Sequence, residues 1–303
     1  METELVSISE RRIEERGWVG QRVWGRYLRR HWNQVLAWIV VLLFLLGSAL
    51  PIYWLVLTAF RPRDEIFAQP VILTPRTLSL VNVREVLLGA INNDPLLRYL
   101  ITSLIISVIA TVFATTLGVM CAYGIVRFQV GGTFLPMWIL SQRFFPPIAV
   151  VVPLFFIYKR LGLLDTYHGL ILLYIVFNIP LAVWLMIGFI RSLPVEIEEA
   201  ALVEGASYWQ AFVKVTLPLL RPGLAITALF VFIFCWNEYV FAYQLAGSDV
   251  VPVTVYFPRL RTGHMLFFGG LAAASLLSLI PSLAFAWGMQ RYLVRGLTLG
   301  GIK

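Results

Sequence analysis

Charge is scarce in this chain. Of its 303 residues 13% are charged and 59% are hydrophobic, against about 25% and about 45–50% in a typical soluble protein. Lysine occurs only at Lys159, Lys214 and Lys303, and no G-x-x-x-x-G-K-[ST] is present, which excludes a P-loop in this chain. His31, His168 and His264 lie far apart, with no H-E-x-x-H and no G-x-S-x-G anywhere, so neither a zinc hydrolase nor a nucleophile elbow is encoded. The two cysteines, Cys121 and Cys235, sit over a hundred residues apart in apolar stretches. That excludes a disulfide framework and a zinc spacing, and both read as small lipophilic residues.

What is present is uncharged length. A helix crosses the bilayer with about 20 apolar residues because only it satisfies its own backbone without water. Gln34 to Phe60, Tyr99 to Val126, Thr166 to Ile190 and Thr262 to Gln290 contain no Asp, Glu, Lys or Arg. Phe128 to Tyr158 and Pro222 to Ser248 contain one each, Arg143 and Glu238. The expectation is an all-α membrane protein with six spans. A secretory signal peptide does not account for the first span, which follows about 33 polar residues and exceeds an h-region in length.

The net charge is +8, with seven of the cationic residues in the first 33 positions beside five acidic ones. That pattern suits a membrane flank better than a nucleic-acid footprint. Across six spans, 14 cations fall on the side of the termini and nine on the other. The bias places both termini in the cytoplasm. The chain divides into a basic N-terminal tail, 1–33, and a six-span domain, 34–303. The tail reads equally as an interfacial amphipathic helix or a disordered flank. Segment 61–98, with Pro62, Pro70, Pro75 and Asp94-Pro95, has no sustained period and reads as an irregular outer loop.

Segment 192–218, between the fourth and fifth spans, has the grammar of two short helices. Ser192 caps the first with Pro194 in its opening turn, and Glu196, Glu198 and Glu199 sit where the positive helix end favours anions. Gly205 closes it in the left-handed conformation, Ser207 caps the next, and Pro218 ends that one. Trp209, Phe212, Val213 and Leu217 recur at helical spacing, a stripe that docks on a partner or packs under the protein's own spans.

Glu199-Ala200-Ala201, Gly205, then Val215, Thr216 and Leu217-Pro218 resemble the EAA signature of permease subunits in binding-protein-dependent ATP-binding-cassette (ABC) importers. Val215 stands where Ile is usual. The stretches RFFPPIAVVVPLF, GLLDTYHGLIL, PVEIEEAALVEGAS, FIFCWNEYVFAYQL and QRYLVRGLTLGGIK resemble the carbohydrate branch, which includes the second permease of maltose-type transporters. The likeness covers roughly 34 to 303. It implies a type I importer transmembrane domain in a bacterial or archaeal cell membrane, working by alternating access on a carbohydrate or polyol. It implies a second permease, two ATPase subunits that bind ATP and Mg, a solute-binding protein, and no cofactor in this chain. It also implies a coupling helix in which Glu199 makes the ionic contact to the ATPase, Ala200 and Ala201 allow close approach, Gly205 forms the turn, and Leu217 and Pro218 complete the motif.

Arg143 and Glu238 lie within apolar spans, where a lone charge costs roughly 2.5–3.5 kcal/mol. Either they neutralise one another, or Arg143 snorkels and Glu238 caps a helix end. Trp236, Asn237, Glu238 and Tyr239 resemble a recurrent stretch in the fifth span of sugar permeases; they line a solute path or form an interfacial belt. Pro146-Pro147 and Pro153 are expected to break or kink the third span, at a pathway or as packing kinks. A permease for glycerol phosphate or another small organic solute, and a stand-alone secondary transporter, are the rival readings. The first lacks a cationic cluster, having Arg143 alone, and the second lacks an internal repeat.

Overall fold

The computed structural model describes residues 32, 34–68, 74, 76–89, 94–262 and 265–299, with side chains as far as 292 apart from 261–266. The expectations for the tail as far as residue 31 lie outside the described residues. Two compact units divide between Leu57 and Thr58. The first holds most of α1 (Gln34–Ala59), which is exposed along nearly its whole length. A helix apolar on every face suits lipid, where its internal hydrogen bonds are all the backbone needs.

The second unit is almost wholly helical. Short α2 (Arg63–Ile66) and α3 (Val81–Leu88) interrupt the segment expected to be irregular. With two turns α3 shows no sustained period in sequence, and what fixes it is tertiary. Val86 is buried, and the Asn82 amide donates to the Ala59 and Arg61 carbonyls at 3.1 and 2.8 Å. The long α4 (Leu96–Arg127) buries Ser103, Ser107, Ala110, Thr111, Ala114, Thr115, Gly118 and Ala122. Small residues on one face let helices approach closely where lipid offers no hydrophobic drive. A Cβ at Gly118 would lie 2.5 Å from that of Ala182.

The third expected span is broken. α5 (Phe134–Ser141), extended by a 3₁₀ turn over Gln142–Phe144, meets α6 (Pro147–Leu161) at 89°. Phe145 and Pro146 both precede a proline and are extended, as the proline ring forces on its predecessor. Pro153 lies inside α6 without ending it. α7 (Tyr167–Arg191) follows, its first turn capped by the Thr166 hydroxyl, which accepts the Gly169 N–H at 3.0 Å.

Next come α8 (Glu196–Val203), α9 (Tyr208–Ala211), a π-helical turn over Phe212–Thr216, and α10 (Leu217–Leu219). α11 (Arg221–Trp236) leaves that segment at 75°. α12 (Val240–Leu245) and α13 (Val253–Tyr256) are short. The sixth expected span begins later than Thr262, because Arg261–Thr262 (β1) pairs antiparallel with Met265–Leu266 (β2) before α14 (Phe268–Leu299) starts. Among the described residues four helices are long and apolar enough to cross a membrane, and six spans result if each bent pair counts as one.

α4 and α7 run in the same direction. At their starts Arg98 reaches the Ser248 and Asp249 carbonyls beside Asp165; at their ends Arg127 reaches the Leu193 carbonyl. The 25 residues of α7 span about 38 Å at 1.5 Å each.

Candidate functional site

The segment after α7 is built from local signals. Ser192 does not cap α8; it closes α7, its hydroxyl donating to the Phe189 carbonyl at 2.7 Å. α8 starts after Val195 with no side-chain cap, and Glu196, Glu198 and Glu199 fill its first turn, where the helix dipole favours them. Gly205 has φ +93°, and the Gly205 and Ala206 N–H groups take the carbonyls of Leu202 and Ala201. Ser207 then opens α9 with a reciprocal cap involving Gln210. Pro218 does not end the helix, which continues to Leu219 before turning.

Glu198 and Glu199 point apart. Glu198 is buried at 6% exposure, its carboxylate paired with Arg127 at 2.8 Å and accepting the Tyr123 hydroxyl at 2.9 Å. Glu199 and Ala200 are exposed, Ala201 is half-buried, and Val203 is 89% exposed. Val195 and Ile197 add to this outward apolar surface. The stripe at Trp209, Phe212, Val213 and Leu217 also divides. Phe212 is buried with its ring 4.6 Å from that of Tyr123, and Leu217 packs on the same core, whereas Trp209 is 62% exposed. The two rings nevertheless lie 5.6 Å apart, so Trp209 covers the outer edge of the buried Phe212.

The embedded charges do not pair with one another. Arg143 donates to the Phe177 carbonyl at 3.0 Å and lies 4.3 Å over the Phe234 ring. Glu238 accepts the N–H groups of Phe241 and Ala242, both at 3.0 Å, at the start of α12, and the Tyr174 hydroxyl at 3.3 Å. Of its neighbours, Trp236 is a core residue stacked on Phe232, which in turn stacks on Phe285. Asn237 and Tyr239 are exposed, with the Tyr239 ring 5.4 Å from that of Tyr243. Nearby the Asn178 amide donates to the Tyr174 carbonyl, while its Oδ1 is buried without a partner. A separate cavity of about 730 Å³ lies where α5, α7 and the α10–α11 corner meet, lined by Met137, Trp184, Phe189, Leu220 and Pro222. Its apolar walls do not suit a hydroxylated solute.

At the opposite end of α7 stands a feature that sequence reasoning missed. The Asp165 carboxylate accepts four consecutive backbone N–H groups, of Gly247, Ser248, Asp249 and Val250, at 2.8–3.2 Å. Arg98 and Arg259 hold carbonyls of the same loop. Burial raises the Asp165 carboxyl, but the four backbone donors outweigh it and hold the group below its ordinary 3.8.

Four to six apolar spans among the described residues, with a short, partly exposed helix between the long α7 and the bent entry to α11, mark a multi-pass membrane protein. The chain belongs to the family described as the inner membrane component of binding-protein-dependent transport systems, whose model matches residues 114–299. It is 36% identical to the trehalose transport system permease protein SugB of Mycobacterium tuberculosis, over 88% of this chain and 97% of that one. It is 31% identical to the trehalose/maltose transport system permease protein MalG of Thermococcus litoralis, over 89% of this chain and 97% of that one. In fold it resembles a chain of a bacterial ABC transporter involved in alginate import, with TM-score 0.71 at 23% identity, covering 86% of this chain and 95% of that one. The protein is thus an ABC importer permease subunit, and ATP hydrolysis belongs to a separate subunit.

Proposed function

We propose that this chain is one transmembrane half of an importer for a carbohydrate or polyol, and that α8 with its Gly205 turn is the coupling helix. The observation that carries the reading is the division of labour in α8: Glu198 faces inward, while Glu199, Ala200 and Val203 stand outward. One small convex element gripped on both sides can pass a rigid-body movement between subunits. Glu199 then pairs with a basic residue of the ATPase, Ala200 and Ala201 allow close approach, and Leu217 and Pro218 hold the following turn. The segment faces the cytoplasm, as the cation bias requires. Two ATPase subunits bind ATP and Mg below it, a second permease completes the pore, and a solute-binding protein delivers substrate on the far side.

The sugar relatives support the solute class. So does the state of Arg143, whose charge is already engaged by a carbonyl and an aromatic face and so is not free for a phosphate. Asn237 and Tyr239, joined by Tyr243, supply exposed amide and ring surfaces of the kind that take hydroxyls and sugar CH faces, and Glu238 holds the start of α12 beside them.

The test is solute-stimulated ATPase activity in liposomes, with the chain purified alongside its co-expressed partners. The native complex responds to binding protein plus sugar, and Glu199→Ala loses the response. Solute movement by this chain alone, with no ATPase present, overturns the assignment.

A further inference from the structure

α8 has eight residues, too few to be stable without tertiary contacts, so whatever holds it also receives its movement. α8 packs beside α9 and the π turn, and its buried polar contacts converge on the last turns of α4. Glu198 takes the Arg127 guanidinium and the Tyr123 hydroxyl. Arg127 also reaches the Leu193 carbonyl at 3.3 Å, in the link between α7 and α8. The Tyr123 ring lies 4.6 Å from Phe212, and Phe128 lies 5.4 Å from Tyr208, so the same helix end grips the second half of the segment. The pair is well shielded, with side-chain exposures of 12% for Arg127 and 8% for Glu198, and at such a site removing one partner strands a charge.

We infer that Glu198, Arg127 and Tyr123 form a strut that carries movement of α8 into α4. This rests on the proposed coupling role of α8. α4 is a continuous helix of 32 residues, and its other end is tied by Arg98 to the loop that Asp165 clamps. Displacement delivered at Arg127 therefore reaches Arg98, 29 residues and about 44 Å away. Glu199 is the outward contact in this scheme, and Glu198 the inward one, a positioning residue.

The experiment uses the complete complex in liposomes and counts solute taken up per ATP hydrolysed. Glu198→Gln should lower that ratio about tenfold while the ATPase subunits stay bound at native stoichiometry. The exchange of Glu198→Arg with Arg127→Glu should restore most of it, which a residue with a merely packing role would not do. Tyr123→Phe keeps the ring on Phe212, removes one hydroxyl, and should lower the ratio about threefold. Glu199→Ala reads the docking role separately, through loss of bound ATPase subunits; retention of those subunits counts against the coupling-helix reading and leaves the Glu198 measurement standing. An unchanged ratio in Glu198→Gln overturns the strut, as does a loss that the exchange fails to recover. If Glu198→Gln does not assemble, Tyr123→Phe decides: a lowered ratio sustains the strut and an unchanged one overturns it.

Discussion

Asp165 accepts the Gly247 N–H at 2.9 Å, and a Cβ placed on Gly247 would lie 2.4 Å from its other carboxylate oxygen. The clamp therefore needs an acid at one position and no side chain at the other. Asp165→Asn replaces an acceptor by an amide donor facing N–H groups, and the expected loss is about 2 kcal/mol. Gly247→Ala should cost a similar amount by forcing the carboxylate aside. Thermal unfolding of the purified protein checks both; a shift below one degree in each would show that the loop stands without the clamp.

The same carboxylate sets a pH window. Its folded value is lower than its unfolded one, so its contribution is present above the ordinary 3.8 and is lost as pH falls through the lowered folded value. The Tm gap between native protein and Asp165→Asn should be constant from neutrality down to about pH 5 and close in more acid solution. A gap that holds throughout would mean that Asp165 stabilises the loop equally well when protonated.

Arg143 and Glu238 have separate partners, so their energies should add. In a double-mutant cycle of Arg143→Ala and Glu238→Gln, read by unfolding in detergent, the interaction should stay within about 0.5 kcal/mol. A coupling several times larger would restore the pairing of the two charges.

Gly118 lies against Ala182, whereas Gly188 has open space where a Cβ would go. Gly118→Val should force α4 and α7 apart and cost about 1–3 kcal/mol, while Gly188→Ala should be close to neutral. Equal effects at the two positions would deny the close approach of α4 and α7.

Long uncharged runs made the spans legible, and Pro146-Pro147 made the break between α5 and α6 legible, because both effects act within one stretch of chain. The Gly205 turn and the Ser207 cap were readable for the same reason. Ser192 was misread because a serine before Pro-x-Glu looks like an N-cap, yet its hydroxyl serves the helix behind it. The inward aim of Glu198 was hidden because three glutamates crowd one turn, and choosing among them requires knowing where Arg127 ends. Trp236 fits an interfacial belt by composition and turned out to be core, since Phe232 and Phe285 close over it from distant positions. Asp165 lies inside the stretch GLLDTYHGLIL, yet its clamp could not be read there: its partners are main-chain N–H groups more than 80 residues away, and side-chain identity does not encode them.

The segment from α9 into the π turn at Phe212–Thr216 keeps one ring inside and one outside. With Phe212 turned to the core and Trp209 to the outside, residues three apart answer to different constraints. The outer side chain can vary without disturbing the inner one, which keeps its grip on Tyr123. What the segment shows to its surroundings and what anchors it are thus written in separate letters of one short word.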